Sequence, residues 1–355
     1  MGYIEQKEQR EKMKMMFEES IVRRKNSVSI YISIYGNDFS QNTVKKFFYD
    51  LFEFPKESMR IFSSKCEKSQ RYKEEVFKSN LEDENFLGTL AISGKDGSDV
   101  HYMRMQKRNS CAYLMCTFKS SIFYEKEFLE KFEEIIMEMG ACFAYAVNDF
   151  DIFVIQHPRD IYSYEGWGLT EEDFNGIGEL TAIASGIPGT APVFAPSAFP
   201  GISLYYDLLV FNSAPYMWFG PDYSRFFDIE FVKNFSCCEE NIEIADGFRR
   251  ICLWKDINDY SNMIFRERQW QFRRCSRMDE IIKELGRKPF IPKDQNSLPD
   301  PSVVIKLGEF EHGGTKLITT YVNGKGKPCS MMQASAYIVC ELLNEKIIHK
   351  EKFKL

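Results

Sequence analysis

Several groupings of residues in this chain have the types and spacing to do chemistry. His157-Pro-Arg-Asp160 sets an imidazole beside a carboxylate, the pairing that a general base needs. No serine or cysteine stands in a strained turn next to it, and a Gly-x-Ser-x-Gly elbow is absent, so a hydrolase would need a distant nucleophile. Glu171-Glu172-Asp173 and Cys238-Glu239-Glu240 place carboxylates side by side. Such pairs can serve a glycosidase or hold a cation. They also form solvated faces and helix N-termini, or meet the basic residues of a partner. Asn323-Gly-Lys-Gly-Lys327 lacks the Walker spacing and reads as a hairpin turn. Gly176-Ile-Gly178 and Gly186-Ile-Pro-Gly189 complete no dinucleotide fingerprint. Arg249, Arg250, Arg266, Arg268, Arg273, Arg274 and Arg277 interleave with Trp254, Trp270 and Phe272. That pattern fits either an RNA-binding patch or salt bridging with nearby Asp and Glu, and an acidic chain favours the second.

The bulk properties narrow these options. The chain has 355 residues, of which 44% are hydrophobic, 28% charged and 15% aromatic, with 31 Phe. That is an ordinary soluble balance with material for a large core. A net charge of −6 argues against broad binding of nucleic acid, which needs a basic face. The ten cysteines include no Cys-x-x-Cys, and none of the four histidines stands at zinc spacing from a cysteine pair. The expectation is buried free thiols in a reducing cytosol, with no metal and no cofactor. The sequence shows no signal peptide and no apolar run long enough to span a membrane, which predicts a cytoplasmic protein.

The elements that must position these residues follow from periodicity. Residues 5–25 carry Lys, Glu, Arg and Met at helical density and predict a lead-in helix. Val28, Ile30, Ile32 and Ile34 alternate with Ser29, Tyr31, Ser33 and Tyr35, the pattern of a half-buried strand. Val44, Phe47, Phe48, Leu51 and Phe52 share one helical face, and a charged helical stretch is expected near 56–80. Strands are predicted over 87–93, 100–107 and 111–119. A helix near 125–139 follows, with Phe128, Phe132, Ile135, Ile136 and Met139 inside and Gly140 as its stop. Residues 157–203 are rich in Pro and Gly and predict a long irregular segment. A strand is expected over 204–211, a hairpin around Asp246-Gly247 and an amphipathic helix from Met278 to Leu285. After a Pro-rich linker, 303–322 reads as a hairpin. Met331, Ala334, Ile338 and Leu342 mark the apolar side of a final helix.

Ala214 to Phe227 is the most distinctive stretch. A turn crowded with Pro, Trp and Gly follows the 204–211 run. It holds no nucleophile–base pair and no ligand cluster, so it reads as a docking element or as a plug on the end of a sheet. Taken with the acidic groups, the expected partner-binding residues are Trp167, Trp218, Asp222, Tyr223, Glu171, Glu172, Asp173, Glu239 and Glu240; no catalytic residue is assigned.

Met139-Gly-Ala-Cys-Phe-Ala-Tyr145, Pro200-Gly-Ile202, Trp218-Phe-Gly-Pro-Asp-Tyr223, Asp246-Gly247 and the Met278–Leu285 helix closed by Gly286 come in a recognisable order. In this order residues 87–290 resemble a family of bacterial immunity proteins from polymorphic toxin systems. The resemblance implies an intracellular, non-enzymatic protein that binds and neutralises a cognate toxin. The chain departs from that pattern in its long charged N-terminus, a shifted aromatic turn and the module after residue 300.

The expected fold class is α+β, mainly antiparallel sheets with helices packed on one face and two related sheet-plus-helix halves as an option. The expected organisation is a lead-in over 1–26, a main body over 27–290 (halves 27–156 and 157–290), a linker over 291–302 and a hairpin-plus-helix module over 303–355. Two other functions compete with the toxin-binding one. One is an enzyme with its site under the 157–203 loop. The other is a nucleic-acid-associated defence protein using the 249–277 arginines.

Overall fold

The alternating run over 27–35 is the middle of the main sheet. Strand β1 (Ser27–Tyr35) pairs antiparallel with β6 (Cys111–Lys119) on one side and β7 (Ala141–Asn148) on the other. The computed structural model of the chain describes residues 15, 18–35, 41–52, 60–63, 70–82, 88–94, 98–108, 111–156, 182–183, 193–194, 199–206, 208–286, 315–322, 336–343 and 346–354. All of β1 is buried, where the alternation predicts one wet face. Val28, Ile30, Ile32 and Ile34 enter one core, and Tyr31 and Tyr35 enter a second core on the opposite face. Ser29 and Ser33, on the same face as the tyrosines, tolerate burial because each is hydrogen-bonded. Ser29 Oγ donates to Asp149 Oδ1, and Ser33 Oγ accepts from the Val210 N–H.

β1 belongs to a ten-stranded sheet, and its paired strands are antiparallel throughout. Beyond β6 come β5 (Val100–Arg108), β4 (Gly88–Ser93), β2 (Arg60–Ser63) and β3 (Gln70–Arg71). Beyond β7 come β12 (Tyr216–Phe219), β14 (Phe248–Cys252) and, at the edge, β13 (Glu240–Ala245). One row of residues in register crosses it: Ser63, Leu90, Met105, Leu114, Ile32, Ala144, Trp218, Arg250 and Ile242. The sheet runs across the boundary near residue 156, since β12 pairs directly with β7.

Helices cover both faces, which corrects the one-sided arrangement expected from the sequence. On the face of Ile30 and Ile32 lie α1 (Gln41–Tyr49), α2 (Glu74–Glu82), the short α3 (Ser120–Phe123) and α4 (Phe128–Glu138). Phe128, Phe132, Ile135, Ile136 and Met139 are buried as their spacing predicts, and Gly140 ends the helix with φ +62°. The face of Tyr31 is covered by α5 (Asp149–Gln156), α6 (Ile229–Asn234), α7 (Met263–Cys275) and α8 (Met278–Gly286). The fold is α+β.

Three local expectations change. Residues 60–63 form a strand inside the stretch expected to be helical. Arg60 and Phe62 are exposed while Ile61 and Ser63 are buried, a short period of two hidden among charges. The 204–211 run is two strands, β10 (Leu204–Tyr206) and β11 (Leu209–Phe211), folded back on each other. The sequence marks the division only by Asp207, a single polar residue between two apolar stretches. At the C-terminus β15 (Thr315–Val322), β16 (Ala336–Leu343) and β17 (Lys346–Lys354) form an antiparallel meander in place of a hairpin and helix. Ile338 and Leu342 are four apart, a spacing that also keeps residues on one face of a strand, and Met331 and Ala334 lie outside the described residues. The expected strand at 303–310, the linker at 291–302 and residues 1–14 of the lead-in lie outside the described residues, and residues 18–25 of the lead-in are helical. Within 157–203, β8 (Ala182–Ile183) pairs with β9 (Val193–Phe194).

Candidate functional site

The aromatic stretch is a strand of the sheet. Tyr216 to Phe219 lies between β7 and β14, and alternate side chains enter opposite cores. Tyr216 and Trp218 point toward α4, where the Trp218 ring meets Phe132 edge-on at 4.9 Å. Met217 and Phe219 point the other way, with Phe219 against Phe143, Tyr223 and Phe272. Trp218 and Tyr223 are fully buried, so neither presents surface to a partner; this corrects their assignment as docking aromatics. Their rings fill the two cores on either side of one strand.

The turn after the strand depends on its glycine. Gly220 N–H donates to Cys142 O at 2.9 Å, and a Cβ on Gly220 would lie 1.9 Å from Ala141 O. Only glycine lets the two backbones approach this closely. Pro221 then opens a 3-10 turn, Pro221–Arg225, whose fixed proline φ suits its first position. Asp222 is half-buried and pairs with Arg225 at 2.9 Å. Gly247 takes φ +73° in the tip of the β13–β14 hairpin and stacks against Pro221.

The acidic pair Glu239-Glu240 lies at the start of this hairpin and is held by bases on neighbouring elements. Glu240 bonds to Arg250 at 3.1 Å and to Lys255 at 3.0 Å, while Glu239 pairs with Arg268 at 3.1 Å. The Lys255 hydrogen bond, aided by Arg250, holds the Glu240 carboxyl below its ordinary pKa against the effect of burial. Arg250 also donates to Glu133 of α4, and Trp218 Nε1 donates to the same carboxylate at 2.9 Å. Burial alone would lower the Arg250 pKa, but Glu133 and Glu240 outweigh it and raise it. Glu133 is a residue that pattern reading misses. Its signal is a carboxylate flanked on one helix face by Leu129, Phe132 and Ile136.

The arginines between 249 and 277 are mostly turned into the protein. Arg266 is fully buried and grips both oxygens of Asp151 at the start of α5. Arg273 bonds the Phe199 carbonyl and both oxygens of Asp279, and Gln269 donates to Ser213 O at 2.7 Å. Arg249 pairs with Glu243 at 3.0 Å. Helix α7 thus presents polar side chains inward and leaves Met263 and Ile264 exposed. Salt bridging, rather than a phosphate-facing patch, describes these residues.

A separate polar region lies at the end of the sheet where the lead-in helix meets β5 and β6. Arg24 pairs with Asp149 at 2.7 Å, and Ser29 links Asp149 to Thr117. A cleft of about 1120 Å³ beside it is lined by Arg23, Asn26, His101 and Lys119 among others. His101 Nε2 is buried without a hydrogen-bond partner, and burial, with the Arg23 charge, lowers the His101 pKa. Cys111, Cys116, Cys142 and Cys252 are buried; burial pushes the Cys252 thiol up to about 12, and Cys275 is exposed.

Trp167, Glu171, Glu172 and Asp173 lie outside the described residues, as does the His157-Pro-Arg-Asp160 grouping. Of the expected partner-binding residues, Trp218, Asp222 and Tyr223 lie on β12 and the turn after it, while Glu239 and Glu240 lie beside the opposite end of β12, so they are not gathered into one site. The two aromatics are interior, and the carboxylates are nearer the surface. No helix among the described residues is long and apolar enough to cross a membrane.

No family model matches the chain, and no curated protein matches it. Among solved structures, a T6SS protein of Pseudomonas aeruginosa aligns with a TM-score of 0.40 and 8% sequence identity, over 72% of this chain and 75% of that chain.

Proposed function

We propose that the chain is a non-enzymatic immunity protein of the cytoplasm, which binds a cognate bacterial toxin and neutralises it. The observation that carries this reading is the convergence of the segments that resemble the immunity family. Met139–Tyr145 supplies β7, Trp218–Tyr223 supplies β12 and its turn, and the two are joined in register through Ala144–Trp218 and Phe143–Phe219. Asp246-Gly247 folds its tip onto Pro221. Pro200 O accepts from Ser213 Oγ at 2.6 Å, next to the strand. Met278, Ile281 and Leu285 of the closing helix enter the same core as Phe143 and Phe219. Segments scattered over the sequence thus meet around one strand pair, and this meeting is what supports the reading.

An inhibitor of this kind needs a rigid scaffold that holds a complementary surface. A sheet covered on both faces, with its charged hairpin braced by Glu133, Arg250 and Arg268, fits that need. The deciding experiment expresses the product of the adjacent gene with and without this chain. Growth arrest by the neighbour alone, relieved by co-expression together with a complex on size-exclusion chromatography, is the expected result. A harmless neighbour, or a toxic one that this chain neither binds nor relieves, removes the proposal.

A further inference from the structure

Strand β13 is the outermost strand at one end of the sheet, and among the described residues no strand pairs with its outer side. An unpaired edge leaves backbone N–H and C=O groups aimed away from the sheet, which is what an added strand requires. Its inner side pairs with β14, and the register shifts between Glu243 and Ala245. That bulge ends the regular ladder, so the usable edge is Glu240–Glu243.

The charges across this hairpin are layered. β14, on the inside, carries Arg249 and Arg250, whereas β13 carries only Glu240 and Glu243, flanked by Glu239 and Asp246. Each β13 carboxylate meets its arginine on the inner side, Glu243 to Arg249 and Glu240 to Arg250. The Glu243 side chain is still 52% exposed. Ile242, 40% exposed, follows Trp218 and Arg250 in the row that crosses the sheet, and Ile244 packs on the same face. An incoming strand therefore meets Ile242 beside the ion-paired Glu240 on one face and Glu243 on the other.

Resting on the proposed toxin-binding role, we infer that β13 docks an extended basic segment of the partner protein. The segment adds as a further strand along Glu240–Glu243. It lays an apolar side chain over Ile242 and sets a lysine or arginine against Glu243. A second copy of this chain is the poorer occupant, because its own β13 would bring glutamates and no base to the same edge.

The probe is a labelled peptide of about eight residues alternating lysine and valine, a length typical of one strand. A twin is N-methylated at alternate residues along one edge, and a control alternates glutamate and valine. The full chain binds the first peptide saturably and slows amide exchange at 240–243. The twin and the control bind roughly tenfold more weakly or worse, since each blocked backbone bond or missing charge is a sizeable part of a short interface. Glu243→Lys weakens the first peptide similarly, with the unfolding transition unchanged as the check on folding. Equal binding by the N-methylated twin, protection elsewhere than 240–243, or no saturable binding overturns the inference. Neutralisation separates the two proposals. If Ile242→Asp/Glu243→Lys relieves the neighbouring toxin as well as the unaltered chain does, the edge is wrong and the immunity role stands. If the peptide docks on β13 but no toxin is relieved, the immunity role falls and the edge stands.

Discussion

Trp218 and Arg250 face each other in register on β12 and β14, and both donate to the same oxygen, Glu133 Oε1. One carboxylate on α4 therefore ties the helix to two strands through an indole and a guanidinium. Removing it by Glu133→Ala leaves both donors short of a partner. The expected cost is about 2–4 kcal/mol. In that background Trp218→Phe costs less than it does alone, because the indole N–H has already lost its acceptor. A double-mutant cycle by urea denaturation measures the coupling, and strict additivity would show that the shared carboxylate does not matter.

The Arg266–Asp151 pair has no exposed surface to speak of, and each partner depends on the other. Arg266→Met strands a buried carboxylate and is expected to destabilise the fold by about 3–5 kcal/mol. Combining it with Asp151→Leu recovers much of that loss, because an apolar pair needs no charge compensation. Thermal unfolding of the two single variants and the double variant reads this directly. A double variant as unstable as Arg266→Met alone would refute the account.

Tyr223 carries the opposite prediction. Its ring stacks on Phe227 with centroids 4.5 Å apart, but its hydroxyl is buried with no hydrogen-bond partner. Tyr223→Phe keeps the ring and discards an unsatisfied polar atom, so stability is expected to stay level or rise by about 1 kcal/mol. Partner binding is unaffected, since the residue is interior. A destabilised variant, read by its melting temperature, would mean that the hydroxyl has an acceptor.

Acid weakens the fold through two groups in successive windows. Burial, with the nearby Arg23, keeps the His101 pKa below its ordinary 6.5, so the unfolded chain takes up a proton that the folded one resists. Its contribution is present above 6.5 and is lost as pH falls below that value. His101→Gln flattens stability against pH there. Glu240, held below 4.5 by Lys255 and Arg250, contributes above that value and loses its effect as pH falls further. Denaturant titrations across pH test both, and an unchanged profile in His101→Gln would rule out the histidine.

Much of the secondary structure is legible in the sequence because periodicity reports burial. The Phe128–Met139 helix face follows that rule, and the Asp246-Gly247 hairpin follows from its turn residues; β1 is a strand as its alternation predicts, but it is buried on both faces. The failures have physical causes. Nothing local says that β12 inserts beside β7, and without that neighbour Trp218 reads as a surface anchor. Helix α7 inverts the usual pattern: Arg266, Gln269 and Arg273 face inward because they meet Asp151, Ser213 O and Phe199 O, all remote in sequence. Of the candidate site, the carboxylates of the hairpin were visible, but the bases that hold them became assignable only once strands and helices had been placed.

The position of β1 sets a schedule for synthesis. Among the described strands, the first to leave the ribosome is the middle of the finished sheet, and its two neighbours end at Lys119 and Asn148. Until those have emerged, Val28, Ile30, Ile32 and Ile34 have no lasting partner, and pairing across such long separations is slow. The nascent chain therefore carries a naked apolar ribbon for much of translation. Delivery of active protein depends on how well chaperones shield that ribbon, as well as on the stability of the completed fold.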